Sequence, residues 1–334
     1  MAETQKGHRV AKVMAGICLG LMGLLLVAFA GVNAFVRITY AGFYDHASRE
    51  FDIPGISEGF IPQDLDHLDD GTWLFSGYMA DGSESAIYRL GADGTSGRFF
   101  VSRPDGSAYD GHGSGITSDG EHVLLTDGDG FLAFDLASVE AVEENGRVQA
   151  IGRRSLEFAP AFLNIEDGAL YLGDFYHPGP YETPDAHRMQ TPAGDENPAV
   201  MYAYPEDGAG TFGYADQAAR VYSIPARIQG MCITDAGSIV LSQSYGLAMS
   251  HLLVYDAIAA EGANADDWFM ADGRTVPLFY LDSACEVADV DAPPMTEGIE
   301  WHDGGIFISC ESASDKYLFG KLYGAGAVYA LWSW

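Results

Sequence analysis

The stretch Arg227–Asp256 reads RIQGMCITDAGSIVLSQSYGLAMSHLLVYD and alternates strands with turns. Met231 and Ile233 alternate with Cys232 and Thr234, which is the two-residue period of a β-strand. The turn that follows contains Gly237, and glycine tolerates the positive φ that a tight turn needs. The runs IVL and HLLVY are β-branched and apolar, which favours further strands. This stretch therefore predicts three consecutive strands.

The same arrangement occurs five times along the chain. Each copy has a strand, a turn with glycine, and further strands; the turn glycines are Gly71, Gly120, Gly168, Gly237 and Gly304. Short strands repeated in this way are typical of a β-propeller, whose blades stack in a ring because no blade can bury both of its faces alone. The sequence predicts an all-β propeller with five blades, and six blades are the alternative.

The two ends of the propeller segment complement each other. Residues 50–61 contain a strand without a partner in the first repeat, and the fifth repeat stops at Trp334 after its third strand. We predict that the N-terminal strand supplies the outer strand of the last blade, which closes the ring and removes two exposed edges.

Two repeats carry insertions. The third contains Tyr176–Pro198, which is rich in proline and predicts an ordered loop rather than a helix. The fourth contains Ala257–Asp272, which predicts a short helix or a polar loop. Such insertions are either functional or tolerated surface loops.

An apolar segment precedes the propeller. Residues 13–36 carry no charged side chain and are long enough to cross a bilayer. Because Lys6, Arg9 and Lys12 precede them, we expect a single-pass cell-membrane protein with a cytoplasmic N-terminus and an extracytoplasmic propeller. The boundaries are then 1–12 for the N-terminus, 13–36 for a signal-anchor, 37–49 for a linker and 50–334 for the propeller. A cleaved signal peptide ending near Ala34 is the alternative.

The composition limits the class of partner. The formal net charge of −31 disfavours nucleic acid, because a phosphate backbone would be repelled. An acidic surface keeps the protein soluble and can attract cations. Cys285 and Cys310 flank the junction of the last two repeats, and an exported chain permits a disulfide between them. The sequence does not show how far apart the two cysteines lie in the fold.

Polar residues occur where the chain enters each innermost strand. They are Gln63, Asp64, His112, Ser114, Asn164, Gln229 and Glu297. We expect them at the mouth of the central channel, where a concave surface with converging polar groups can bind a ligand. The alternative is that they cap strand ends and hold water in the channel.

Polar and aromatic residues also end the first hairpins. Tyr245 and Glu311 are the ligand candidates of this group, and we expect them at the opposite rim of the channel. Tyrosine beside lysine or glutamate can bind a sugar or a peptide end by stacking and hydrogen bonding. Tying loops together is the competing role.

The segment TEGIEW, residues 296–301, is similar to the Glu-Gly-Pro-x-Trp motif of the gluconolactonase and senescence-marker-protein family. The segment QGM at Gln229, followed by Asp235 and Gly237, resembles the Asn-Gly segments of that family. The resemblance implies a propeller of the lactonase and strictosidine-synthase type with a divalent cation, usually calcium. It implies that Glu297 is a metal ligand and that Gln229 occupies an asparagine ligand position. Apart from the resemblance, we expect Asn164 at the channel mouth to be a further amide ligand.

Two functions are consistent with these observations. The first is a membrane-anchored propeller that binds a small ligand, a metal or a protein partner at a rim. The alternative is a divalent-metal-dependent hydrolase of the lactonase or esterase kind. We favour the binding function over the hydrolase, because the sequence shows no complete set of metal ligands and no pair of nucleophile and base.

Overall fold

The computed structural model describes residues 2–263, 267–317 and 326–334. Its helices are α1 (Ala2–Thr39), α2 (Ala41–Tyr44), α3 (Leu136–Ala141) and α4 (Ala257–Ala263), with 3₁₀ turns at Ile56–Glu58, Asp185–His187 and Glu311–Ala313. A strand, β1 (Ala47–Asp52), follows α2. The rest of the chain forms five consecutive antiparallel blades, as the repeats predict.

Blades 1 and 2 come first. Blade 1 contains β2 (Phe60–His67), β3 (Trp73–Met79), β4 (Ala86–Leu90) and β5 (Ser96–Ser102). Blade 2 contains β6 (Ile116–Ser118), β7 (His122–Thr126), β8 (Gly130–Asp135) and β10 (Gly152–Ser155). Between β8 and β10, β9 (Arg147–Gln149) pairs in parallel with β5 and covers the outer edge of blade 1.

Blades 3 and 4 contain the two insertions. Blade 3 contains β11 (Phe162–Glu166), β12 (Ala169–Gly173), β15 (Ala199–Thr211) and β16 (Arg220–Ile224). Its insertion carries a small ribbon of β13 (Met189–Gln190) and β14 (Glu196–Asn197). Blade 4 contains β17 (Ile228–Ile233), β18 (Ser238–Gln243), β19 (Ser250–Asp256) and β22 (Glu286–Ala292). Its insertion begins with α4 and continues with β20 (Trp268–Ala271) and β21 (Arg274–Tyr280), and β21 extends the edge of blade 3.

Blade 5 closes the ring. It contains β23 (Thr296–His302), β24 (Gly305–Cys310) and β25 (Ala327–Leu331), and its fourth strand is β1. The register runs from Ala47 opposite Leu331 to Asp52 opposite Ala327. The predicted closure by the N-terminal strand is confirmed, although this strand begins at Ala47, before residue 50. The innermost strands β2, β6, β11, β17 and β23 contact one another in cyclic order.

The two-residue period of the strands explains how the core is divided. Leu124 belongs to the core cluster between blades 2 and 3, whereas Val123 and Leu125 belong to the cluster between blades 1 and 2. Each strand therefore supplies apolar side chains to both neighbouring blades, as stacked blades require. The five turn glycines have φ between +71° and +86°, which confirms their predicted role.

The cysteines of the propeller do not form a disulfide. Cys232, Cys285 and Cys310 are free and buried. Cys285 lies in the cluster between blades 3 and 4, whereas Cys310 lies in the cluster between blades 4 and 5. The two thiols are in separate parts of the core, which excludes the disulfide that the sequence left open.

Helix α1 contains an apolar segment that is long enough to cross a membrane. The segment is Lys12–Thr39. Residues 37–49, which the sequence assigns to a linker, contain the end of α1, α2 and the start of β1. Val36, Tyr40 and Phe43 are buried in the cluster between blades 4 and 5. The helix end is thus packed on the propeller.

Candidate functional site at the channel mouth

A cavity of about 850 Å³ opens at one end of the central channel. Seven of the nine site residues predicted from the sequence line it: Gln63, His112, Ser114, Gln229, Tyr245, Glu297 and Glu311. Asp64 and Asn164 are buried and are not among the lining residues. The structure thus brings most of the predicted residues together, and their role in binding stays a prediction.

The expectation of two separate rims is wrong. Ile61 at the start of β2 lies opposite Tyr78 at the end of β3, and Ile228 at the start of β17 lies opposite Gln243 at the end of β18. In an antiparallel hairpin the beginning of the first strand always adjoins the end of the second. The residues that enter the innermost strands and those that leave the next strands therefore share one mouth.

A repeated β-bulge explains why three polar side chains reach this cavity. In β2 the register passes from Pro62–Gly77 to Asp64–Ser76 and leaves Gln63 unpaired. The register of β17 leaves Gln229 unpaired in the same way, and that of β23 is interrupted at Glu297 and Gly298. A bulge bends the strand and redirects a side chain, and bulges are common beside functional sites.

One wall of the cavity is a hydrogen-bonded group of tyrosines around Glu311. Its Oε1 accepts from the hydroxyl groups of Tyr78 and Tyr317 at 2.8 and 2.9 Å. The Nζ of Lys316 donates to the Tyr78 hydroxyl at 2.8 Å, and the His112 ring stacks on Tyr78 with centroids 4.3 Å apart. Burial raises the pKa of Tyr78 and lowers that of His112, which favours the neutral form of both rings.

The insertion of blade 3 forms the facing wall through residues 180–184. Here Asp174 lies 2.6 Å from Nδ1 of His187, and both side chains are buried. Tyr245 is partly exposed, and its ring lies edge-on to His177 at 3.8 Å. The insertion was identified from the sequence, but its position at the mouth was not predicted. The length of the insertion was the sequence feature that could have indicated a functional position.

Glu297 lies at the floor of the cavity. The Oγ of Ser244 donates to its carboxyl group at 3.5 Å. Burial raises the pKa of Glu297 well above its usual value, and the charge of Glu311 adds to the effect. The floor therefore presents a carboxyl group that holds a proton more tightly than an exposed one.

Asp64 and Asn164 connect blades rather than line the cavity. Oδ2 of Asp64 accepts from the backbone N–H of Ile116 at 2.8 Å, which joins blade 1 to blade 2. Oδ1 of Asn164 accepts from Thr117 at 3.0 Å, and its Nδ2 donates to the carbonyl group of Met231 at 3.0 Å. Blades 2, 3 and 4 are thereby linked by one amide.

Three further carboxyl groups lie nearer the other end of the channel: Asp66, Glu166 and Glu300. Burial is the main cause that raises the pKa of Asp66 and of Glu166 to about 7. Burial also raises the pKa of Glu300, with the charges of Asp66 and Glu166 as further causes. This group was not predicted from the sequence. Acidic residues within otherwise apolar inner strands were the feature that could have indicated it.

Comparisons with known proteins find similar solved structures but no family. No protein-family model and no curated protein sequence matches it. The solved structures that resemble it include the PQQ-bound aldose sugar dehydrogenase of Streptomyces coelicolor, with 15% identity, a TM-score of 0.40, and coverage of 79% of this chain and 78% of that one. A nidogen/laminin complex matches with 12% identity, a TM-score of 0.37, and coverage of 75% and 73%. At these identities and TM-scores the likeness identifies neither a family nor a function.

The comparisons do not identify the chain with the gluconolactonase type. The structure also separates the three candidate metal ligands. Glu297 and Gln229 line the cavity, whereas the amide group of Asn164 is engaged by Thr117 and Met231 at both ends. The implied cation would therefore lack its third ligand at the mouth. In the described part of the chain, the group of three with metal-ligand spacing is His251, Asp289 and Asp291, on the outer strands of blade 4.

Proposed function

We propose that the protein is a membrane-anchored, extracytoplasmic propeller that binds a small polyhydroxylated ligand in the mouth cavity. The observation that carries this proposal is the convergence of bulged polar side chains, Gln63, Gln229 and Glu297, on a cavity of about 850 Å³ with aromatic walls. A cavity of this size with a few directed polar groups is suited to a small molecule.

The chemistry of the walls favours an uncharged ligand with hydroxyl groups. Tyr181 and Tyr245 are exposed residues of the lining, and a tyrosine ring can stack on the C–H face of a sugar-like ring. The amide and carboxyl groups on the floor can donate to and accept from hydroxyl groups. The acidic groups of the walls already have protein partners: Asp174 pairs with His187, and Glu182 pairs with Arg188 at 2.7 Å. Among the described lining residues, an anionic ligand would meet one lysine, Lys316, whose Nζ already donates to the Tyr78 hydroxyl.

The packing of α1 supports an uncleaved anchor. The helix runs without interruption through Ala34, where a signal peptidase would have to cut, and Val36 just beyond is buried against the propeller. Cleavage there would require the helix to unwind next to a packed turn. The basic residues before the apolar segment support a cytoplasmic N-terminus.

The hydrolase alternative keeps one supporting observation, because Glu297 occupies the position of the metal-ligand glutamate in the resemblance and lines the cavity beside Gln229. Hydrolysis of a panel of lactones, measured with Ca²⁺ and with chelator, separates the two functions. Calcium-dependent turnover that Glu297→Gln abolishes would favour the hydrolase.

The binding proposal can be tested by calorimetry on the full chain in detergent with neutral mono- and oligosaccharides. We expect Tyr245→Ala to weaken binding about tenfold, the equivalent of about 1.4 kcal/mol, because the stacking surface is lost. Trp268→Ala is the matched control, since Trp268 is an exposed aromatic residue outside the cavity. Binding that is absent for all saccharides, or equally weakened by both variants, would contradict the proposal.

A further inference from the structure

Three innermost strands each bring a carboxyl group to the channel below the cavity. Asp66 lies near the end of β2, Glu166 at the end of β11 and Glu300 in β23, so the group joins blades 1, 3 and 5. Oε2 of Glu300 accepts from Nδ2 of Asn164 across the channel at 3.1 Å. Oε1 of Glu166 accepts from the backbone N–H of Ile233 at 3.0 Å. We call these three carboxyl groups the channel-base cluster.

Asp66 provides an independent sign that the cluster is incomplete. Its side chain is only 4% exposed, and its Oδ2 is buried without a hydrogen-bond partner. A buried carboxyl oxygen without a partner is costly, because it has lost its hydration and gained nothing in return. None of the ion pairs in the described part of the chain involves Asp66, Glu166 or Glu300. Within the described residues, the cluster therefore has no counter-charge.

The turns around this end of the channel are also acidic. The turns between the first two strands of each blade contain Asp70, Asp119, Asp167, Asp235 and Asp303. Aspartate beside glycine suits such turns, so local structure explains their presence. Together they nevertheless give this end of the channel a negative potential that concentrates cations.

We propose that the channel-base cluster binds a hard divalent cation, with water completing the coordination of Asp66, Glu166 and Glu300. Carboxylate oxygens are the ligands that Ca²⁺ and Mg²⁺ take, and Mg²⁺ keeps several of its waters when one or two carboxylates hold it. Water is needed because the three carboxyl groups do not bring one oxygen each within 4.8 Å of one another, as the exposed group at His251 does.

This site differs from the one that the family resemblance implies. Asp66, Glu166 and Glu300 do not line the mouth cavity, and Glu297 and Gln229 are not among the proposed ligands. The cation would connect blades 1, 3 and 5 through the centre of the ring. Its role is then to stabilise the closed ring, independently of any ligand in the mouth cavity.

The test is the melting temperature of the full chain in detergent at pH 7.5, titrated separately with CaCl₂ and MgCl₂ and with NaCl at matched ionic strength. Ligand binding to the native state raises stability by mass action. At a cation concentration about 100 times Kd, we expect a rise of about 5 °C over the NaCl control for a chain of this size. Asp66→Asn and Glu300→Gln should each lose most of this rise.

Two control variants show which site causes the rise in melting temperature. Glu297→Gln alters the mouth and should keep the full response, and Asp289→Asn alters the exposed group of blade 4 and should keep it as well. A wild-type chain that responds to neither cation would overturn the proposal, as would an equal response of wild type and Asp66→Asn. If the variants fail to fold, calorimetry of the wild type decides, because absence of saturable binding of both cations overturns the proposal directly.

Discussion

At the scale of single residues, glycine makes the narrow channel possible. A Cβ atom on Gly298 would lie 1.7 Å from Oδ1 of Asp64 and 2.6 Å from its Cα, so only a hydrogen atom fits between β23 and β2. A Cβ atom on Gly230 would lie 3.0 Å from the carbonyl oxygen of Glu297. The glycines that follow Gln229 and Glu297 thus let the innermost strands approach, while the bulged neighbours reach the cavity.

We expect Gly298→Ala to lower the free energy of unfolding by about 3 kcal/mol, because the added methyl group meets backbone that cannot move away. Chemical denaturation followed by tryptophan fluorescence measures this. Gly208→Ala is the control, since a Cβ atom there has nothing within 4 Å and the change should stay within about 0.5 kcal/mol. Similar effects of the two substitutions would show that the inner strands are not tightly apposed.

At the scale of elements, one strand decides whether the ring is closed. Blade 5 takes its outer strand, β1, from the opposite end of the propeller segment. The ring of Phe51 in this segment packs near Trp73 of blade 1 and Phe307 of blade 5, with centroids 5.4 and 6.4 Å apart. Closure therefore covers the edge of β25 and adds apolar contact between the last blade and the first.

Ser48 and Ala330 are directly opposite in the β1–β25 pair, so cysteines at both positions should form a disulfide. We expect the oxidised Ser48→Cys/Ala330→Cys protein to be about 3 kcal/mol more stable than the reduced one, because a long loop is closed. Non-reducing electrophoresis and melting curves measure this. Arg49→Cys/Ala330→Cys is the control: residue 49 points to the other face, and a disulfide forming as readily there would refute the register.

The innermost strands also carry a pH-dependent contribution to stability. The pKa values of Asp66 and Glu166 are raised to about 7 in the folded state, above their usual values of about 4 in an unfolded chain. Between these pKa values the folded state binds more protons than the unfolded state. The contribution of the two carboxyl groups to the free energy of unfolding is therefore greatest below about pH 4, and it is lost as the pH rises to about 7.

In chelator, the melting temperature should therefore fall between pH 4.5 and pH 7.5. Asp66→Asn should flatten this decrease, because an amide has no proton to lose. Asp69→Asn, at an exposed turn position, is the matched control for removing one negative charge and should leave the slope unchanged. If both variants flatten the curve equally, general charge repulsion rather than the buried carboxyl group causes the decrease.

At the scale of the whole molecule, the end of helix α1 and the propeller form one packed unit. Phe43 is 1% exposed and lies between the rings of Tyr44 and Tyr329, with centroids 5.3 and 5.9 Å away. Arg37 lies over the Tyr44 ring at 4.5 Å. The end of α1 therefore positions the propeller relative to the helix instead of leaving it on a flexible tether.

We expect Phe43→Ala to destabilise the propeller by about 3 kcal/mol, because it leaves a cavity between blades 4 and 5. Unfolding in detergent, followed by tryptophan fluorescence, measures this. Phe35→Ala is the control: Phe35 is 61% exposed on α1 and should leave propeller stability unchanged. A Phe43→Ala protein as stable as wild type would show that the helix end is not part of the folded unit.

The orientation in the membrane can be tested with cysteines and an impermeant maleimide. Ser83→Cys, in an exposed loop of blade 1, should be labelled on intact cells, whereas Thr4→Cys should be labelled only after permeabilisation. The reverse pattern would refute the cytoplasmic N-terminus. A mature protein that lacks residue 4 altogether would indicate a cleaved signal peptide.

The local features of the fold could be predicted from the sequence. Strand period, turn glycines, the number of blades and the closing strand all depend on residues that are close in the sequence or on a simple count of strands. For the same reason the polar residues at the start of each inner strand could be named as site candidates, and five of them line the cavity. The local environment of each position carries this information.

The arrangement of the site was decided by tertiary structure. Strand pairing decides which side chains lie at the same mouth of the channel. Gln63 near the start of β2 and Tyr78 near the end of β3 therefore line the same cavity, although the sequence suggested opposite rims. Asn164 and Asp66 look alike as polar residues on inner strands, yet one is fully hydrogen-bonded and the other has a buried oxygen without a partner. That difference arises because five separate strands converge on one axis, and a sequence does not show how closely they approach.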